Sequence, residues 1–181
     1  FVTILSLIFL KDSIPFFGIV GILIASLALV LISLINFNKK INLQTIGISI
    51  FIAFVISVYT FTDGAGVRSV ENSTTFIVWN FFLGGWISIG YVYLTDKESL
   101  FKLKIREFLL ILFATIISFS AYAIIIWSMK YEPIGFVASM RESSIIFASL
   151  LGLLFLKEKI GYMRIMSGIL FFIGVSFIFN A

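Results

Sequence analysis

An arginine and a glutamate stand side by side, Arg141-Glu142, in a stretch otherwise free of charge from Pro133 to Leu156. On a helix starting after Pro133 they lie about 12–14 Å along its axis. An ion pair at that depth of a bilayer is expensive unless it is paired or faces a wet cavity. Two readings follow. Either the pair works on a solute, with Arg141 holding a substrate carboxylate or Glu142 taking part in proton coupling. Or it clamps its helix to a neighbour or to a backbone carbonyl.

The residues around the pair extend a polar face. Ser139, Glu142, Ser143 and Ser149 recur at helical spacing. Other apolar runs carry similar stripes: Thr115, Ser118 and Tyr122; Asn80, Gly84, Ser88 and Tyr91; and Ser49, Ala53, Ser57 and Thr60. These faces line a cavity or serve close helix packing, since small residues mark helix interfaces in membranes. For Asn80 and Tyr122 the choice is open between cavity lining and helix-to-helix bonding. Gly18, Gly21, Ala25 and Ala28 read as packing only. Trp79, Trp86 and Trp127 suit membrane-interface anchors, and Trp79 and Trp127 could instead bracket an aromatic or hydrophobic substrate.

A third feature is Asp63-Gly64-Ala65-Gly66-Val67-Arg68, at the end of an apolar run. Gly64 and Gly66 would let the chain leave helical geometry. Asp63 and Arg68 could then pair across the turn, which makes this segment a candidate gate or hinge, or else a plain helix-end turn. It follows a helix pattern and does not match G-x-G-x-x-G, so it is no nucleotide loop.

Other chemistry is absent. The chain has neither Cys nor His. That removes disulfides, thiolate and imidazole metal sites, and Cys or His nucleophile and base chemistry. No cofactor or metal is expected.

The elements that must position these residues are set by composition. Of 181 residues, 61% are hydrophobic and 12% charged, and the mean hydropathy is +1.17. A soluble domain is roughly half apolar and a quarter charged, so a soluble globular protein is excluded. Charge-free runs cover Ile14–Asn38, Ile41–Thr62, Asn72–Thr95, Phe108–Met129 and Ile165–Ala181, and Pro133–Leu156 makes a sixth. Each is close to the ~20 residues a spanning helix needs, and an open chain can cross lipid only as a helix. The expected fold class is an all-α integral membrane protein with six spans, including residues 14–38, joined by short loops. Before them, Phe1–Leu10 reaches about 15 Å, half a bilayer core. It reads as the tail of a truncated helix, and the chain as the back part of a longer protein that would not transport alone.

An internal repeat is visible. With residues 1–19 laid over 147–165, Phe1, Leu5, Leu7, Phe9, Leu10, Lys11, Ile14 and Ile19 match Phe147, Leu151, Leu153, Phe155, Leu156, Lys157, Ile160 and Ile165. Asp12 matches Glu158 in charge. Four spans lie between the copies, giving a repeat of five helices. An odd repeat inverts the two halves, as in secondary transporters.

The stretch Tyr131–Phe179 resembles the last two helices of the drug/metabolite transporter superfamily, EamA-like branch. The resemblance rests on Arg141-Glu142-Ser143-Ser144, on Gly152 and Glu158 at the helix end, and on Gly168 and Gly174 in the final helix. The segment Tyr59–Arg68 is similar to the end of the first helix of that family's second repeat. The resemblance implies ten helices as two inverted five-helix repeats. Residues 1–38 would then end the first repeat, as the tail of helix 4 and helix 5. Residues 41–181 would form the second repeat, helices 6–10. It further implies transport of small metabolites such as amino acids.

The function expected is a secondary transporter that exports a small organic, amino acid-like metabolite across a bacterial cytoplasmic membrane by alternating access. Arg141 and Glu142 are central to it, with Asn80, Tyr122, Ser139, Ser143, Tyr59, Trp79 and Trp127 as candidate lining. Its partners are the solute, the lipid bilayer and a proton as candidate coupling ion. The net charge of +4 reports topology and is no sign of nucleic-acid binding. The competing classes are a membrane scaffold or accessory subunit and a membrane-embedded lipid enzyme. The enzyme is disfavoured because Glu142 stands almost alone as an intramembrane acid. Oligomeric state is not legible. Orientation is contested: Lys39, Lys40, Lys97, Lys102, Lys104, Arg106, Lys157, Lys159 and Arg164 fall on one side, against Lys11, Arg68 and Lys130 on the other. The positive-inside rule then puts the C-terminus outside, whereas the family resemblance implies both termini inside.

Overall fold

A computed structural model describes residues 1–35, 42–97, 104–156 and 161–181. The basic loop residues Lys39, Lys40 and Lys102, and the Lys157-Glu158-Lys159 segment, lie outside them. The described residues form helices and turns only. They are α1 (Val2–Leu5, continued by a π-helical turn Ser6–Leu10), α2 (Phe16–Ile35), α3 (Leu43–Arg68), α4 (Ser73–Thr95), α5 (Ile105–Met129), α6 (Ile134–Arg141), α7 (Ser144–Leu156) and α8 (Tyr162–Phe179). Five stretches are long and apolar enough to cross a membrane: α3, α4, α5, Ile134–Gly152 and α8. Phe16–Ile32 adds a shorter apolar one. The chain folds into two compact units, Phe1–Thr62 with Glu132–Ala181, and Asp63–Tyr131.

In the first unit α2 packs along α8. A Cβ on Gly21 would stand 2.6 Å from the Gly174 carbonyl oxygen, and one on Gly174 would stand 2.7 Å from the Ala25 nitrogen. The two backbones therefore touch, which only small residues allow. Ala25, Ala28, Ile32, Ile146 and Phe171 form the core beside this contact. The packing role read for Gly21, Ala25 and Ala28 is what the structure shows.

In the second unit α4 and α5 pack through Phe81, whose ring meets Phe119 at 4.7 Å and Tyr122 at 5.2 Å. Asn72 caps α4 by accepting the Thr74 N–H at 2.9 Å. Only 6% of the most apolar window of each of these helices is buried. Side chains such as Trp86, Ile87, Leu109 and Phe113 stand exposed, a surface suited to lipid or to other membrane segments and not to water.

Two local expectations need correction. Pro133–Leu156 is not one continuous helix. It breaks at Glu142-Ser143, where Ser143 N–H bonds the Met140 carbonyl (3.0 Å) and Ile145 N–H bonds the Glu142 carbonyl (3.1 Å). These are tight i→i−3 bonds, not the α pattern. Gly64 and Gly66 do not leave helical geometry. Helix α3 runs on to Arg68, and no described glycine has a positive φ. Gly66 instead permits a close approach, since a Cβ there would meet the Phe76 ring at 2.5 Å. Several hydroxyls of the polar stripes are also satisfied within their own helices. Ser49, Ser57, Ser88 and Thr115 each bond the carbonyl four residues earlier, the usual way a hydroxyl is accommodated inside a helix.

Candidate polar site in the membrane

Arg141 ends α6, and the break after it turns Glu142 back alongside. The guanidinium Nη2 lies 3.1 Å from Glu142 Oε1, and Nε donates to the same oxygen at 3.4 Å. Nη1 donates to Tyr59 Oη and to Thr60 Oγ1, each at 3.3 Å. Tyr59 and Thr60 come from α3, so the cation ties two spans together. Side-chain exposures of 22% for Arg141 and 37% for Glu142 leave both groups reachable from a space beside them.

That space is a cavity of about 550 Å³, with Ser57, Thr60, Ser139, Arg141 and Glu142 among its polar lining and apolar side chains such as Ile22 and Leu29 on its other walls. Its size lies within the range of small-molecule pockets. Few polar groups in an apolar wall is the arrangement that fixes a ligand's orientation. Ser139 reaches the cavity although its hydroxyl bonds the Gly135 carbonyl. Ser143 sits in the helix break, half-buried.

One contact holds this site from a distance. Asp12 Oδ2 accepts the Ile134 N–H at 3.0 Å, a bond across 122 positions. It satisfies a first-turn donor of α6 that the helix itself cannot. Lys11 just before it takes the left-handed conformation at φ 53°, which ends the first helix and turns Asp12 towards α6. Asp12→Ala should lower unfolding stability by about 1 kcal/mol, read as a lowered thermal midpoint in detergent. An unchanged midpoint would mean the cap is energetically idle.

In the second unit Asp63, Asn80 and Tyr122 meet, each from a different helix. Asn80 Nδ2 donates to Asp63 Oδ1 at 3.2 Å, and the Tyr122 hydroxyl donates to Asp63 Oδ2. For Asn80 and Tyr122 the structure therefore shows bonding between helices. Arg68 Nε donates to the Met129 carbonyl at 2.7 Å, fastening the end of α3 to the end of α5. Trp79 and Trp127 are more than half exposed. Their rings pair with Phe82 and Tyr131.

Thr60 and Asp12 carried faint signals, one as a member of a small-residue stripe and the other as the acid shared by the two repeat copies. Asn80 and Tyr122 were marked as members of polar stripes, but nothing in the sequence marked Asp63 as the group they share. Three helices must come together before its bonds exist.

Apolar helices of spanning length, with a charged pair and a carboxylate placed inside them, define a polytopic α-helical membrane protein. A model of the EamA-like transporter family matches residues 44–180. The chain belongs to that family. Family members are membrane transporters of the drug/metabolite type, not enzymes, so the protein sits in a membrane among lipid and handles a small-molecule substrate. Searches of curated proteins and of solved structures each return no match.

Proposed function

We propose that the protein is a secondary transporter that exports an amino acid-like metabolite across a bacterial cytoplasmic membrane by alternating access. The observation that carries this reading is the Arg141–Glu142 pair at the wall of the 550 Å³ cavity. Guanidinium is a fork for a carboxylate. Glu142, held beside it, offers the opposite charge to an ammonium. A zwitterion presents both groups a few ångströms apart, so it can replace the Arg141–Glu142 contact with two of its own. Tyr59, Thr60, Ser139 and Ser143 supply hydroxyls around the pair.

The helix break at Glu142 supports the same reading. Interrupted helices at solute sites are a recurrent device in transporters, because free backbone groups then face the cavity. The sequence shows no nucleotide loop, so the drive is an ion gradient or the solute's own gradient. The match of residues 1–19 to 147–165 supports reading 1–38 as the end of one five-helix repeat and 41–181 as the next.

The test is a thermal-shift screen of the purified protein against the twenty amino acids and their decarboxylated and esterified analogues. A ligand that binds the folded state raises its midpoint by mass action. Stabilisation by one or more free amino acids is expected, lost for both analogue series and lost again in Arg141→Ala. Stabilisation by an amine or ester as strong as by the parent amino acid would overturn the zwitterion reading.

A further inference from the structure

The carboxylate of Asp63 has a place in this molecule that the Arg141 site does not explain. It lies inside the spanning helix α3 (Leu43–Arg68). Its partners Asn80 and Tyr122 stand about 10 Å inside the ends of α4 and α5. An acid at such a depth is a functional residue by default. The chemistry of its partners decides which function.

Both neighbours aim hydrogens at it, Asn80 through its amide and Tyr122 through its hydroxyl. That is the opposite of a metal-cation site, which needs converging oxygens. Tyr122 has a second property. A phenol both donates and accepts. When Asp63 takes a proton on Oδ2, that O–H can donate to Tyr122 Oη while Oδ1 still accepts from Asn80. In both states each carboxyl oxygen of Asp63 keeps a hydrogen-bond partner, Tyr122 for Oδ2 and Asn80 for Oδ1, which lowers the cost of burying either form of the acid. Glu142 is placed differently, since its Oε1 is bound to the Arg141 cation.

We infer that Asp63, cradled by Asn80 and Tyr122, is a proton-carrying site of the transporter. The proton comes from water on one side of the membrane, resides on Oδ2, and leaves to water on the other side. Among the described residues, few charged or titratable groups lie on the elements that hold Asp63. On α3 itself the next charge is Arg68, whose Nε is engaged by the Met129 carbonyl. Helix α4 carries no charged side chain, and its tyrosines Tyr91 and Tyr93 lie near its far end. Helix α5 has Arg106 and Glu107 in its first turn only, about 22 Å along the axis from Tyr122. Lys130, just past α5, donates to the Val70 carbonyl at 2.9 Å.

The coupling role rests on the transporter reading, whereas proton binding does not, and the experiment separates them. Infrared difference spectra of the protein in liposomes are recorded across a pH titration. A carboxylic-acid C=O band that grows as pH falls is expected. It should be lost in Asp63→Asn, kept in Glu142→Gln, and moved to higher frequency in Asn80→Ala, where the C=O loses its donor. A band that survives Asp63→Asn, or vanishes in Glu142→Gln, overturns the assignment. So does a titration that shifts when sodium replaces choline, which would make the trio a cation site. In a second arm, proteoliposomes holding the full-length protein are given labelled amino acids. Asp63→Asn should keep equilibrium exchange and lose accumulation driven by a pH gradient. Undiminished accumulation in that variant overturns coupling at Asp63. Absence of exchange in the wild type would instead sink the substrate reading and leave the infrared result standing.

Discussion

Arg141→Ala should reduce amino acid transport at least about 100-fold while the protein still folds. A hydrogen bond to a charged group contributes about 1.5–3 kcal/mol, roughly 10- to 150-fold in affinity, and a guanidinium on a carboxylate makes two. The variant also leaves Glu142 without the cation 3.1 Å away, so the remaining charge repels the solute carboxylate. Arg141→Lys restores the charge without the fork, and should recover part of the loss, to about 10-fold below wild type. Tyr59→Phe removes a single long contact of 3.3 Å from a half-exposed hydroxyl. It should cost no more than about threefold. The order is the test. Proteoliposome uptake in which Arg141→Ala and Glu142→Gln both match the wild type would remove the pair from the solute site.

The largest stability effect is expected at Gly174. Any side chain there would start 2.7 Å from the Ala25 nitrogen and 2.8 Å from the Gly21 oxygen. Those are backbone atoms of a helix and cannot swing aside. Gly174→Leu must wedge α2 from α8 and open the cluster of Ala25, Ala28 and Phe171. Overpacking of this kind costs about 1–3 kcal/mol, and more where backbone is struck. A loss of about 3 kcal/mol is expected, with Gly21→Leu close behind because its Cβ would meet the Gly174 oxygen at 2.6 Å. Gly84→Ala and Gly90→Ala provide the contrast, since a Cβ at either meets nothing within 4 Å. They should stay within about 0.5 kcal/mol of wild type. Unfolding midpoints in one detergent compare all four. A Gly174→Leu protein as stable as Gly84→Ala would mean that α2 and α8 do not touch.

What the residues alone decided is the material of the chain and where its spans run. Crossing lipid demands about 20 apolar residues in a helix, and that demand is written into consecutive positions, so Ile41–Thr62, Asn72–Thr95 and Phe108–Met129 were legible as spans. The charged pair was legible for the same reason, as an exception inside an apolar run. Helical spacing also marked Gly21, Ala25 and Ala28 as one face. What it could not mark was the partner, because periodicity assigns a residue to a face of its own helix and not to the face opposite. That Asp12 caps α6, that Tyr59 and Thr60 receive Arg141, and that Asp63 collects Asn80 and Tyr122 are bonds between positions 17 to 122 apart. Asp63 to Asn80 is the shortest step, at 17. The helix break at Glu142 was equally hidden, since no proline or glycine announces it. Such bonds and breaks exist only once helices pack, because only packing sets which polar groups lose water together and must satisfy one another.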